Sequence, residues 1–434
     1  MSQIKHCFLV LIVALLFTEG FLKYITKLTE EIDTYGNTDT NVFNLDLQTH
    51  FEGTFSKFTK NYSHNESYEA KQLTFEELAQ LAGLKAVKYE VITDDGYILG
   101  VFRIKGNPEK PVLLMHGLLD SSETFVLRRN NSLARLLADA GYDVWLGNVR
   151  GNRYSNKHVT IDPKRSPKEF YDFSFHEFGV YDLPATIDFI LNETKEDSLY
   201  AVGFSQGNQI FYIMGSEKEE YNKKVKILVA LAPISFMQNL PKSSCRHTIE
   251  LSTAIAPVMD FFGIVNIFED DDSLRKTIQN TCLLKEVGYD TCFNGILFPS
   301  SGYDPDEIDI EFAQEIVPQY PCSASVKNLL HLAQLFLRKK NAQFDYGVIG
   351  NLAHYGSAEP PEYNLGKVTM NIEIMQGLND YLSTVADTKM LLRKLPNAKY
   401  HEVQRKECSH CSFVWGKTAY KYVNQPTLEI LGRY

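Results

Sequence analysis

The sequence predicts an α/β fold: a mostly parallel sheet with helices on both faces and a helical cap inserted into it. Three observations lead there. Short apolar runs alternate with helical stretches from Tyr89 to Leu231. That rhythm breaks between about Ser235 and Tyr346, where strand signals are few and aromatics many, and it returns at Val368. Alternating strand and helix signals are the mark of a parallel sheet covered on both sides. The apolar share of 44% over 434 residues is ample for one large core carrying a cap. No repeat of 20 to 50 residues is visible, which excludes a solenoid or propeller.

The elements follow in order. Thr74-Phe-Glu-Glu-Leu-Ala-Gln-Leu-Ala is a short helix opened by a capping residue. Tyr89 to Thr93 alternates at period two, Asp94-Asp95-Gly96 is a tight-turn signal, and Tyr97 to Ile104 is the return strand of an antiparallel hairpin. Pro111 to Met115 is a continuous apolar run, as a buried parallel strand requires. A helix over Ser132 to Ala140 and a strand over Tyr142 to Leu146 come next. Asp182 to Leu191 is helical, Ser198 to Gly203 a strand, Gln206 to Ser216 a helix and Val225 to Leu231 a strand. Within the break, Ser325 to Lys339 reads as helix. Val368 to Met375 is a strand, Asp387 to Leu395 a helix, and a last strand lies near Lys399 to Val403. The core therefore spans 74–234 and 347–434, with the cap at 235–346.

The segment before residue 74 reads differently. Lys5 and His6 precede the apolar run Cys7 to Phe17, and small residues follow at Thr18 and Gly20. Eleven apolar residues suit a secretory signal over 1–20 and are too few to span a bilayer, so no transmembrane anchor is expected. Residues 21–73 are a polar extension. Four sequons, at Asn61, Asn65, Asn130 and Asn192, fit an exported glycoprotein. Cys7 lies in the signal; the remaining six, Cys245, Cys282, Cys292, Cys322, Cys408 and Cys411, are an even number, which in an exported chain suggests disulfides. A net charge of −10 argues against a nucleic-acid partner.

The chemistry centres on Gly203-Phe204-Ser205-Gln206-Gly207. A bare G-x-S-x-G string is common. Here an apolar strand runs into it and a helix leaves it, which makes it the nucleophile elbow of an α/β-hydrolase. Gly203 and Gly207 let the backbone close around a serine held in a strained conformation, and the helix N-terminus behind it favours developing negative charge. A serine hydroxyl needs a base. Of the downstream histidines, His401 and His410 lie late enough in the chain; His401 sits inside a strand, whereas His410 lies in the loop Cys408-Ser-His-Cys-Ser412, and is the candidate. Its alternative readings are a surface-loop histidine or a metal ligand beside Cys408 and Cys411, although one short cluster is little for a metal site and none is expected. Asp380 follows a strand and would orient the base; Asp387, the competitor, looks like the start of the next helix. Ser205, Asp380, His410 is the α/β-hydrolase order. Two backbone amides should form the oxyanion hole: that of Gln206, and one from Met115-His116-Gly117-Leu118-Leu119, where Leu118 is the candidate and His116 braces the turn. This chemistry calls for no cofactor.

At these residues the chain resembles the acid lipase family, which includes gastric lipase and lysosomal acid lipase. The matching strings are Asp94-Asp-Gly-Tyr-Ile-Leu, His116-Gly-Leu-Leu, Gly147-Asn-Val-Arg-Gly-Asn-Arg-Tyr-Ser155, Phe173-Ser-Phe-His-Glu, Tyr181-Asp-Leu-Pro-Ala185, Ser325-Val-Lys-Asn-Leu-Leu-His331, Phe344-Asp-Tyr-Gly and Pro360-Pro-Glu-Tyr-Asn364. They run in order from about Thr74 to about Tyr422. The resemblance implies the triad on Ser205, Asp380 and His410, oxyanion donors on Leu118 and Gln206, and hydrolysis of neutral lipids, triacylglycerols or sterol esters, at a lipid–water interface. It also implies a mobile lid within the cap, a short cap disulfide between Cys282 and Cys292, and delivery to the outside or to lysosomes. Cys245, Cys322, Cys408 and Cys411 then have three possible pairings. The chain departs from the family at Phe204, where histidine is usual, and at His410-Cys-Ser-Phe413, where His-Leu-Asp-Phe is usual. A catalytically silent lipid-binding or storage protein on the same fold is the alternative function, and the oligomeric state stays open.

Overall fold

The structure, a computed structural model, describes residues 71–434 apart from 271 and 272. The expected signal peptide, almost all of the polar extension and the sequons at Asn61 and Asn65 lie outside the described residues. Asn130 and Asn192 both occupy exposed positions.

Eight strands form one sheet: β1 (Ala86–Ile92), β2 (Ile98–Ile104), β3 (Asn107–Met115), β4 (Tyr142–Leu146), β5 (Leu199–Phe204), β6 (Val225–Leu231), β7 (Ile372–Gln376) and β8 (Ala398–Glu402). Their spatial order is β1-β2-β4-β3-β5-β6-β7-β8. β1 and β2 pair antiparallel, as do β2 and β4; every other pairing is parallel. The hairpin forms because Gly96 takes φ +94°, and its amide reaches the Thr93 carbonyl at 2.9 Å.

Alternation along the strands divides the core in two. Leu113, Trp145, Ala201, Leu228 and Ile374 point to one face, where the helices Leu183–Thr194 and Gln206–Glu217 cover them. Val112, Val144, Val202, Val229 and Met375 point to the other, under Phe75–Leu81, Leu133–Asp139 and Gln425–Leu431. Burial on both sides is why these strands read as continuous apolar runs. Between β6 and β7 the chain is mostly helical, with Ser244–Phe261, Ser273–Cys282, Ile310–Ile316 and Val326–Arg338, and a pair of two-residue strands, Asn266–Ile267 and Ala324–Ser325. Among the described residues no helix is long and apolar enough to cross a membrane.

Three details differ from the sequence reading. β3 begins at Asn107, ahead of Pro111, with an irregularity between them. β7 begins only at Ile372, because Val368 and Met370 bury their side chains in the core ahead of the strand instead of pairing. Thr384, not Asp387, caps the helix Val385–Leu392. The cysteines also depart from the even-count argument. Cys282 and Cys292 are joined, whereas Cys245, Cys322, Cys408 and Cys411 are free thiols, three of them buried.

The loop after β4 is fixed by a buried cation. The Arg150 guanidinium donates to both oxygens of Asp95 at 2.5 and 2.8 Å and through Nε to Asp182 at 2.7 Å, and it lies 3.9 Å from the centre of the Tyr97 ring. Burial alone would favour the neutral form; the two carboxylates outweigh it and hold Arg150 above the ordinary arginine range. Arg150 thus ties the β1–β2 turn to the start of the helix Leu183–Thr194. Removing one partner of a buried ion pair strands the others in a poor solvent. Arg150→Met is expected to lower folding stability by about 3–5 kcal/mol in denaturant titration; a loss below about 1 kcal/mol would show that the cluster is not a structural tie.

Candidate active site

β5 ends at Phe204 and the next helix starts at Gln206, so Ser205 alone makes the turn. It does so at φ 54° and ψ −121°, a conformation that non-glycine residues rarely adopt. Its amide is fixed to the Leu231 carbonyl at 3.0 Å. The flanking glycines are required by space. A Cβ on Gly203 would lie 2.3 Å from Asn208 Oδ1, and one on Gly207 would lie 2.3 Å from the Met115 carbonyl oxygen.

The structure brings Ser205, His410 and Asp380 together. Ser205 Oγ lies 2.8 Å from His410 Nε2, and His410 Nδ1 lies 2.8 Å from Asp380 Oδ2. The other Asp380 oxygen accepts the amides of Leu382 and Ser383 at 2.9 and 2.8 Å, which fixes the carboxylate. All three side chains are buried. Both imidazole nitrogens are engaged, which leaves none for a metal shared with Cys408 and Cys411. The Cys411 thiol is pushed up to about 12 by burial, so it is neutral.

The His410 loop is held partly by the cap. The His410 amide donates to the Ser301 carbonyl at 3.0 Å, Ser412 Oγ donates to Asp304 at 2.9 Å, and Arg405 clamps Asp304 from the other side at 2.8 Å. Phe204 packs its ring 5.1 Å from the imidazole. The competing residues are committed elsewhere. His401 sits on β8 and bonds Glu373 on β7. Asp387 accepts the backbone amides of Gln238 and Asn239 at 3.0 and 3.1 Å, tying the start of the cap to the helix after β7.

On the other side of Ser205 runs the loop His116 to Asp120. A Cβ on Gly117 would lie 3.0 Å from the Ser205 Cβ, and Leu119 adopts φ 57°. Leu118 and Gln206 both line the cavity that reaches Ser205. Gln206 is the first residue of its helix, so its N–H has no intrahelical acceptor. His116 braces the loop: Nδ1 bonds the Gly117 carbonyl at 2.8 Å, and Nε2 takes the Val149 amide and the Asn152 side chain, each at 3.3 Å. Burial drives this imidazole down to about 4, so it stays neutral, as an acceptor at Nε2 must.

Two apolar cavities of about 280 Å³ each meet at Ser205. One runs beneath the helices Ser244–Phe261 and Val326–Arg338, past Met237, Ile249 and Leu330. The other passes His410, Phe293, Tyr320 and Trp415. Phe268, Leu119 and Leu382 border both. The arrangement can activate a hydroxyl beside a carbonyl whose two substituents are large and apolar. Sequence reasoning missed Asp304, Phe268 and Asn328, the last of which meets Gln206 (see below). Each gains its meaning from a contact across the chain, and the one local hint was the helix signature around Asn328.

A mostly parallel eight-stranded sheet with a strained serine between β5 and its helix defines an α/β-hydrolase. Family models agree: a partial alpha/beta-hydrolase lipase region matches residues 75–129, and the alpha/beta hydrolase fold matches 110–256. Among curated proteins, the chain is 35% identical over 361 residues to Lipase 3 of Drosophila melanogaster, covering 81% of this chain and 91% of that protein. It is 37% identical over 347 residues to gastric triacylglycerol lipase of Rattus norvegicus, covering 78% and 86%. It is 35% identical over 360 residues to Lipase member K of Homo sapiens, covering 80% and 88%. The chain belongs to the acid lipase family, and it is an enzyme of the lipase, or carboxylic ester hydrolase, class.

The neutrality of His116 has a consequence for stability. In the unfolded chain this imidazole binds a proton below about pH 6.5; in the fold it does so only near 4. The unfolded state therefore takes up more protons in that window, and stability is present above it and lost as pH falls through it, by up to about 1.4 kcal/mol per pH unit for this one group. Denaturant titrations between pH 6.5 and 4 are expected to show a shallower loss in His116→Gln than in the unaltered chain. Equal slopes would mean that His116 is already protonated in the fold.

Proposed function

We propose that the chain hydrolyses neutral-lipid esters, triacylglycerols or sterol esters, through an acyl-enzyme on Ser205. Ser205 attacks the ester carbonyl while His410 takes its proton at Nε2. Asp380 holds the imidazole in the required tautomer and balances its charge. The amides of Leu118 and Gln206 receive the oxyanion. His410 then protonates the departing alcohol, and a water, activated by the same imidazole, releases the fatty acid. A positioned base contributes about 10²–10⁴-fold, and each oxyanion donor about 10²–10³-fold.

The observation that carries this reading is the unbroken hydrogen-bonded chain from Ser205 Oγ through His410 to Asp380, with both links at 2.8 Å, at the junction of two apolar cavities. The cavities support an ester apolar on both sides of its carbonyl, and the named activity of the rat relative, a gastric triacylglycerol lipase, supports the glycerol ester. The signal-like segment and the sequons support export, to the outside or to lysosomes, where the enzyme would meet its substrate at a lipid–water interface.

Ser205→Ala is expected to reduce hydrolysis of a short-chain p-nitrophenyl ester at least about 10³-fold without loss of fold. Turnover kept in that variant would exclude the serine mechanism. The unaltered enzyme is further expected to release oleate from emulsified triolein or cholesteryl oleate. Cleavage of the short ester with neither emulsion cleaved would remove the neutral-lipid assignment while leaving the triad in place.

A further inference from the structure

We infer that Asn328, on the cap helix Val326–Arg338, is a positioning residue for the oxyanion hole. The inference rests on the reading of Gln206 N–H as an oxyanion donor. Gln206 and Asn328 lie 122 residues apart, yet their carboxamides meet head to head: Gln206 Nε2 donates to Asn328 Oδ1 and Asn328 Nδ2 donates to Gln206 Oε1, each at 3.2 Å. Both residues are buried, at 4% and 2% exposure, so neither amide has bulk water as a substitute partner.

Asn328 is itself held firmly. Its backbone amide donates to Ser325 Oγ at 3.1 Å, and the same hydroxyl donates to the Phe173 carbonyl at 2.6 Å. The helix start is further pinned where the Val326 amide meets the Val265 carbonyl at 2.8 Å. The reciprocal pair therefore links a fixed point of the cap to the first residue of the elbow helix. Its N–H shares a peptide plane with the Ser205 carbonyl, which accepts the Asn208 amide at 3.1 Å, and the side chain adds a second anchor that comes from the cap. A water-sized space of about 10 Å³ is bordered by His116, Leu118, Gln206 and Asn328. Two separate buried hydrogen-bonded groups thus stand beside the oxyanion hole: His116 on the Leu118 side and Asn328 on the Gln206 side. Donors that must meet a charge formed only in the transition state act on kcat, and small misplacements are costly.

The test is a double-mutant cycle on a soluble ester, with kcat and KM measured alongside thermal unfolding. Asn328→Leu and Gln206→Leu are each expected to lower kcat by about 10- to 100-fold with KM within about twofold, because the loss falls on the transition state. The double variant is expected to be no slower than the worse single one, since both changes break the same contact. The exchanged pair Gln206→Asn with Asn328→Gln keeps two facing amides and is expected to recover most of the lost kcat. It also serves as the test if a single leucine variant unfolds. Three results would each overturn the inference: kcat in Asn328→Leu within twofold of the unaltered enzyme, single effects that multiply in the double variant, or an exchanged pair that folds but stays as slow as Gln206→Leu. Ser205→Ala, run in parallel, separates the two readings. An inactive Ser205→Ala with a fully active Asn328→Leu removes only the positioning role, whereas an active Ser205→Ala removes the serine mechanism itself.

Discussion

A serine hydroxyl gives up its proton only to a base already within hydrogen-bond reach, and the imidazole that lies at that distance, His410, is 205 positions further along the chain. Much of the architecture can be understood as meeting this constraint. β5 delivers Ser205 to the edge of the sheet on a turn that nothing but close-packed glycines permits. β7 and the loop after it deliver Asp380, whose second oxygen is tied to its own backbone so that the first faces the imidazole. β8 ends close by, and the loop beyond it carries His410. The sheet order places β5, β6, β7 and β8 side by side, so the three side chains leave the same edge.

The cap takes part in this arrangement instead of merely covering it. Ser301 and Asp304 grip the loop that presents His410. Asp387, in the core, grips the first residues of the cap in return. Asn328 faces Gln206 across the elbow. Cap helices also wall the two cavities, Ser244–Phe261 and Val326–Arg338 the one, Ser273–Cys282 and Ile310–Ile316 the other. The contacts that hold the His410 loop and Gln206 and much of the lining of the two cavities thus come from one insertion between β6 and β7.

The sequence made the parts of this design that are local readable, and hid those that depend on convergence. The Asp94-Asp95-Gly96 turn, the buried runs of β4 and β6 and the G-x-S-x-G elbow carry their physics in a handful of adjacent residues, and they stand where the pattern put them. That His410 and not His401 lies beside Ser205 is also legible, because a histidine inside a strand has a sheet neighbour to bond, and His401 bonds Glu373. Asp387 was only half legible: an acid near a helix start suggested the cap, but Thr384 fills that place and the carboxylate serves the cap's backbone. Val368 and Met370 read as strand since they are apolar at the right spacing, yet packing, not pairing, claims them. The cysteine count misled for a plain reason. Pairing needs two thiols brought within reach, parity does not provide that, and four of the six stay as free thiols.

In the proposed function the hydroxyl at position 205, and no other, is activated by the imidazole at 410. Covalent labelling with a fluorophosphonate, followed by peptide mass mapping, addresses it most directly, since only an activated serine reacts. One adduct per chain is expected, carried by the peptide that contains Ser205, with loss of that adduct in His410→Gln while the fold is retained. An adduct on a different serine, or labelling of Ser205 undiminished without His410, would contradict it.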